Sequence, residues 1–376
     1  MKRKRDKQLP GDALTDEDKL AADGARKLFT MLRSEAMLPS DKEELWNDIG
    51  ATIDRRKQRT FNTTWMAVAA SVTLFLLAGV GYIVFHKDPA RIMQEAASRV
   101  LADTGDTQLI LGGQRLINLR QDNANLIYGK DGSSIQIDST SVVEQVVSAD
   151  QQFNTLIVPY GKRSSLTLSD GTRIWLNSGS KLVYPAKFAG SEREVYLEGQ
   201  AYFSVSHSDD VPFYVHTREM KVKVLGTEFD ISAYEDDHFT SAVLASGSIE
   251  LSLPQQSLFG VKKTKITPGT RAVFQSDQSA LRTEQVDVSE FISWKDGYLM
   301  LNKAPLGEIL KKLSRYYRVD ITLKEEDLAK VTFSGRLDLL DDIQQLLDIV
   351  ASGTSLNYKQ QSKERRYVLE KSAIRP

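Results

Sequence analysis

The stretch WMAVAASVTLFLLAGVGYIVF, from Trp65 to Phe85, carries no charged residue and constrains this chain more than any other segment. Coiled as a helix, its 21 residues make a rod of ~32 Å, against a hydrocarbon core of ~30 Å. Ser71 and Thr73 can return their hydroxyls to the helix backbone. Trp65 and Tyr82 stand near the two ends, where amphipathic rings favour an interface. The expectation is one transmembrane helix over 65–85. Arg55, Arg56, Lys57 and Arg59 precede the run, whereas only Lys87 and then Asp88 follow it. The positive-inside rule therefore places the N-terminus in the cytoplasm and the larger C-terminal part outside. The segment in front is too long for the n-region of a cleavable signal peptide.

Residues 1–64 read as a small helical head. Thr15 with Asp18 resembles a capping start, and Ala21, Ala25, Leu28, Phe29 and Leu32 follow at helical spacing. Ser40 and Glu43 make a full capping box, and Leu45, Trp46, Ile49 and Ile53 continue an apolar stripe behind it. Two short amphipathic helices bury little surface against each other. A stripe of Leu28, Phe29, Leu32, Leu45, Trp46, Ile49 and Ile53 is thus expected to need a partner; the plainer reading is a hairpin closed on itself.

After the run, Asp88-Pro89 supplies an N-cap and a proline suited to the first helical position, for a helix expected to reach about Leu101. The pattern then switches to period two. LILGGQRLINL (109–119), SSIQI (133–137), SLTLSDGTRIWL (165–176), EVYLEGQAYFSV (194–205) and MKVKVLGTEFDISAY (220–234) read as strands parted by glycine turns. Asp131-Gly132-x-x-Ile135-x-Ile137 matches Asp170-Gly171-x-x-Ile174-x-Leu176, and Gly113 to Leu119 is a looser copy. Repeated turn-plus-strand units point to an all-β, solenoid-like body.

Beyond Trp294 the character changes again. YLMLN (298–302), a helix opened by Pro305, and VDITL (319–323) are followed by VTFSG (331–335), a second helix, SLNY and RYVLE. Leu306, Ile309 and Leu313 recur as Leu340, Ile343 and Leu347, at an offset of 34. The reading is a C-terminal α+β domain with duplicated β-α-β units. The fold class expected for the whole is multidomain, with boundaries at 1–64 (head), 65–85 (transmembrane helix), 86–150 (helix and lead-in strands), 151–276 (all-β domain), 277–296 (linker) and 297–376 (C-terminal domain).

Chemistry-bearing patterns are sparse. His86, His207, His216 and His238 show no metal-ligand spacing, and no phosphate-binding loop, nucleophile elbow or kinase signature occurs. Asp236, Asp237 and His238 read as a solvated turn. Cysteine is absent, which excludes disulfides and thiolate metal sites. The formal net charge of −1 gives no basic field for nucleic acid, and KRKR at residues 2–5 reads as a solvated tail. No cofactor, metal site, direct nucleic-acid binding or enzymatic activity is expected.

The outer region resembles a known family. VPYGKRSSLTLSDGTRIWLNSGSKLVYP, EREVYLEGQAYFSV, PFYVHT, VKVLGTEFDISAY, LASGSIEL and ITPGTRAVF, in that order, resemble the FecR-type anti-sigma regulators. WKDGYLMLNKAPLGEILKKLSRYYRVDI onward is similar to the C-terminal domain of many members, a small signalling fold of β-α-β units. The resemblance implies an inner-membrane, single-pass protein with a periplasmic body, whose cytoplasmic head binds an extracytoplasmic-function sigma factor. It implies a second partner, the signalling domain of a TonB-dependent outer-membrane transporter. The head resembles the family only through its capped, Trp-bearing helix, so the sigma-binding role of Leu28, Phe29, Leu32, Leu45, Trp46, Ile49 and Ile53 stays an expectation. The alternative is a membrane-anchored periplasmic scaffold or binding protein with a non-functional head. Some relatives are thought to be processed at a Gly-Thr pair like Gly226-Thr227, where a threonine hydroxyl could attack the preceding carbonyl; the plainer reading makes Gly226 a turn residue.

Overall fold

The computed structural model describes residues 23–27, 29–30, 39–40, 42–44, 46–47, 66, 68–77, 79, 89–98, 105–112, 114–147, 153–253, 263–275, 280–339, 342–361 and 365–372. The chain divides into two compact units, Met1–His86 and Lys87–Pro376. In the first, every described residue from Asp23 to Gly79 is helical. The transmembrane helix expected over 65–85 is not found among the described residues. Among the described residues no helix is long and apolar enough to cross a membrane.

The second unit is dominated by 18 strands joined in one hydrogen-bonded network that curls into two layers. The first layer runs, in spatial order, through Arg115–Leu119, Thr107–Leu111, Phe153–Val158, Ser180–Pro185, Arg193–Ser204, Phe213–His216, Lys221–Val224, Ile249–Ser252 and Lys263–Ile266. The second runs through Ser141–Glu144, Ser134–Ile137, Asn123–Tyr128, Arg163–Thr167, Arg173–Leu176, Arg193–Ser204 again, Glu228–Ala233, Phe239–Ser246, Thr270–Gln275 and Ala280–Gln285.

The long strand Arg193–Ser204 belongs to both layers. Its first half pairs with Ser180–Pro185 and Phe213–His216, its second half with Arg173–Leu176 and Glu228–Ala233. Alternating residues of both layers point into one core, including Leu109, Leu126, Leu156, Leu166, Phe203, Val215 and Phe229. Rings meet across it: Phe203 and Phe213 have centroids 6.4 Å apart, and the Tyr128 and Tyr184 hydroxyls are hydrogen-bonded at 3.0 Å.

The solenoid-like body expected from the repeat is therefore replaced by two curled, mostly antiparallel layers. The repeat itself is structural. Gly132 and Gly171 both have positive φ, and the Asp131 and Asp170 carboxylates accept from the backbone N–H two residues on, Ser133 and Thr172. Such an Asx-Gly turn reverses the chain at once. It makes the next strand an antiparallel neighbour, whereas successive solenoid coils stack in parallel. Among the described strands of the body only Asn123–Tyr128 with Arg163–Thr167, and Arg193–Ser204 with Phe213–His216, are parallel.

Helix Pro89–Ser98 lies on the first layer, where Met93 and Ala97 are buried against Val183 and Tyr196. At the other end, strands Tyr298–Pro305, Asp320–Leu323, Thr332–Asp338, Leu356–Gln361 and Arg366–Lys371 and helices Leu306–Tyr317 and Ile343–Thr354 form the C-terminal domain. The first strands of the two β-α-β units pair with each other, and the second strands flank Arg366–Lys371. Strands Tyr298 and Thr332 start 34 residues apart, but the helices start 37 apart, at Leu306 and Ile343. The buried faces match at 37: Leu306, Ile309, Leu310 and Leu313 against Ile343, Leu346, Leu347 and Val350. The two offsets differ by nearly one helical turn, so the apolar pattern fits both.

Candidate functional site

The most constructed polar region lies where the C-terminal domain meets the second layer. Strand alternation builds it. Phe203 and Phe229 turn inward to the body core, so Tyr202 and Asp230 turn outward; Ile174 and Leu176 do the same for Trp175. Register then aligns Trp175, Tyr202 and Asp230 in one cross-strand row, with the Trp175 and Tyr202 ring centroids 5.6 Å apart. This row meets the C-terminal domain: Tyr202 shares a core with Trp294, Leu299 and Leu301.

Asp230 is the centre of the junction and is 2% exposed. Trp294 Nε1 donates to Asp230 Oδ2 and Gln200 Nε2 donates to Oδ1, each at 3.0 Å, while Asn177 Nδ2 donates to Gln200 Oε1 at 2.9 Å. Burial pushes the Asp230 carboxyl up to about 7, against the opposing pull of the Gln200 and Trp294 hydrogen bonds and of Lys312. A folded state that holds this proton more tightly than the unfolded chain is stabilised below the ordinary carboxylate range and loses that contribution as pH rises through about 7. Thermal unfolding is therefore expected at a lower temperature at pH 8.5 than at pH 5.5, and Asp230→Asn should flatten the difference. An unchanged slope in the variant would assign the pH dependence to another group.

A second set of contacts is ionic. Helix Leu306–Tyr317 presents Lys311 and Arg315, one turn apart, to the turn after strand Glu228–Ala233. Arg315 donates to Asp237 at 2.8 and 3.1 Å and to Asp236 at 2.6 Å, and Lys311 donates to Asp237 and to the Asp236 carbonyl. The Arg315 guanidinium lies 3.7 Å from the Tyr234 ring centroid, and the Tyr234 hydroxyl donates to the Ser178 carbonyl. Burial alone would raise the Asp237 carboxyl, but hydrogen bonds from Arg315 and Lys311 outweigh it and hold the group below its ordinary value. The turn read as solvated is thus half of an interdomain ion cluster, with Asp237 and Arg315 side chains each 10% exposed. From the body, Arg163 donates to the Trp294 carbonyl at 2.8 Å and to the Tyr316 hydroxyl at 3.1 Å. A cleft of about 490 Å³ runs beside these contacts, lined by Asp230, Tyr234, Arg271, Phe291, Trp294 and Lys312 among others. Among the described residues no group of three or more His, Asp or Glu could hold a metal ion.

The family model described as FecR protein matches residues 154–250, and that described as FecR, C-terminal, matches residues 298–369. A solved structure of a candidate anti-sigma factor from Parabacteroides distasonis, at 1.65 Å resolution, is 27% identical with a TM-score of 0.52, covering 58% of this chain and 99% of that one. A second, at 2.50 Å, is 26% identical with a TM-score of 0.52, covering 59% and 100%. The chain belongs to the FecR-type anti-sigma factor family. No match is found among curated proteins.

The FecR segment therefore carries Asp230 and the FecR C-terminal segment carries Arg315, with Trp294 just ahead of the latter. None of these was singled out from sequence. Their signal there was only an outward position in a strand, a WKDG turn and a basic helix face. Of the residues expected to bind a sigma factor, Phe29 and Trp46 are helical and exposed, at 78% and 63%. Leu28, Leu32, Leu45, Ile49 and Ile53 lie outside the described residues.

Gly226 and Thr227 sit in the FecR segment, Gly226 beside His207. Gly226 is not in the left-handed region; a Cβ there would lie 2.7 Å from the His207 Cα and Cβ, so glycine is required by close approach rather than by a turn angle. Thr227 is 4% exposed and its hydroxyl donates to the Ser248 carbonyl at 3.1 Å.

Proposed function

We propose that this FecR-type anti-sigma factor binds an extracytoplasmic-function sigma factor through its N-terminal head and relays to it a signal received from the signalling domain of a TonB-dependent outer-membrane transporter. The observation that carries the relay is the junction: the FecR segment is joined to Trp294, just ahead of the C-terminal segment, through Asp230 and to Arg315 within it through Asp237, so a load on the C-terminal domain is felt in the FecR body. The exposed Phe29 and Trp46 support a binding role for the head. The protein works by association rather than by substrate turnover. The decisive experiment is co-purification of the full chain with extracytoplasmic-function sigma factors; a chain that retains none of them would sink the reading.

The compartments belong to the same proposal: head in the cytoplasm, body and C-terminal domain in the periplasm, at the inner membrane. The step from Arg55, Arg56, Lys57 and Arg59 to Lys87 supports that orientation. A reporter active only in the periplasm should work when joined after Pro376, and one active only in the cytoplasm when joined at Thr60. The reverse pattern would overturn the orientation.

Processing at Gly226-Thr227 is also proposed. The Thr227 hydroxyl adds to the Gly226 carbonyl carbon, the peptide C–N bond breaks to leave an ester and a free Thr227 amine, and water then hydrolyses the ester to the Gly226 carboxylate. Supporting this are the lack of a side chain on the carbonyl side, at Gly226, and the burial of Thr227 away from bulk water. Immunoblots of a tagged chain should show two fragments, kept by Thr227→Ser and abolished by Thr227→Val. A single full-length band from the unaltered protein would leave Gly226 as a packing residue.

A further inference from the structure

A second cleft, of about 410 Å³, opens on another side of the same junction and has a different chemistry. Its walls come from both domains: Gly105, Asp122 and Tyr160 to Arg163 from the β-body, and Tyr316 to Arg318 with Arg365 from the C-terminal domain. Lys162, Arg163, Arg318 and Arg365 line it with one carboxylate, Asp122, 3.7 Å from Lys162; Lys162 is balanced by Asp122 and Asp106, so the three arginines set its positive character. Lys162 is held in place: its side chain is 11% exposed, and its Nζ donates at 2.9 Å to Asp106 and at 2.9 Å to the Arg120 carbonyl. Arg163 is fixed by the Trp294 carbonyl and the Tyr316 hydroxyl, leaving the phenol proton of Tyr316 for another acceptor.

At the end of helix Leu306–Tyr317 two carbonyls accept from backbone donors, Arg315 from Gly161 and Ser314 from Arg318 and Val319. The close approach is built for contact. Gly161 has a φ of 85° and Arg318 a φ of 51°, and a Cβ on Gly161 would lie 3.3 Å from that of Arg318. The body turn and the helix end thus converge with their positive side chains on one side.

We infer that this cleft binds a small polyvalent oxyanion (phosphate, sulfate or a compact polycarboxylate) and that the bound anion ties the C-terminal domain to the β-body. The volume suits a small molecule. Arginine forks match the paired oxygens of such groups, and several fixed cations favour a polyvalent ion over chloride. Because the walls belong to two domains, occupancy stabilises their docked arrangement by mass action. The inference stands whether or not the sigma-factor reading holds.

The test is thermal unfolding of the full chain during titration with sodium phosphate, sulfate or citrate, ionic strength being held constant with sodium chloride. The expected result is a saturable rise in unfolding temperature with at least one of the three. The double change Arg318→Ser with Arg365→Ser should weaken the apparent affinity by about tenfold or more. Lys359→Ser, which removes a cation paired with Glu370 away from the cleft, should leave it unchanged. A rise that never saturates and is equal in the double variant is a general salt effect and overturns the inference. If the double variant does not fold, calorimetric titration of the unaltered chain decides: no saturable heat with any of the three anions overturns it equally.

Discussion

Replacing Arg315 by glutamate is expected to undock the C-terminal domain from the β-body. The guanidinium bridges Asp236 and Asp237 while lying over Tyr234, and its side chain is 10% exposed. A glutamate there loses three hydrogen bonds and sets a third carboxylate against two. Leaving a largely buried Asp237 uncompensated costs about 3 kcal/mol or more, Lys311 being the remaining cation. Arg315→Lys keeps the charge but not the fork, and should cost about 1 kcal/mol. Denaturant unfolding followed by tryptophan fluorescence should resolve two transitions in Arg315→Glu, and limited proteolysis should cut between 277 and 296 far faster than in the parent. One cooperative transition at an unchanged midpoint would show that the apolar contacts around Tyr202 and Trp294 suffice.

The second large effect concerns the head. Trp46→Ala should weaken sigma-factor binding by about 2–4 kcal/mol, or roughly 30- to 1000-fold in Kd, as truncation of an aromatic anchor does. Leu28→Asp with Phe29→Asp should do the same by placing charge in the interface. Trp46 and Phe29 are exposed in this structure, so their replacement removes little folded-state packing. The affinity should fall while the unfolding temperature stays put. Normal binding by both variants of the full chain would mean that the sigma factor uses another surface.

The sequence made the β-rich body legible because period-two alternation and positive-φ glycines act locally. Asp131-Gly132 and Asp170-Gly171 fold as their pattern predicts. It did not reveal the partner of each strand, since alternation names an inward face without naming what lies opposite. Hence a solenoid was expected where two layers share Arg193–Ser204. The junction was hidden for a related reason. Gln200, Tyr202 and Asp230 alternate outward, and a polar outward residue reads alike whether it meets water or another domain. Asp237 finds Arg315 across 78 residues of sequence, a pairing no local rule supplies. Gly226 was read as a turn glycine, but its requirement is the neighbouring His207 backbone. The uncharged run at 65–85 read as a spanning helix because hydropathy weighs composition alone; among the described residues no helix is long and apolar enough to span.

The shared strand sets how the body answers a pull. Asp230 takes the C-terminal domain's grip into the strand beside the second half of Arg193–Ser204, whose first half is laddered into the opposite layer. A pull directed along that strand would load the ladder bonds on both flanks in shear, so that they would slide together rather than open one by one. In that respect the body is built as a lap joint, two layers overlapping along one shared strand.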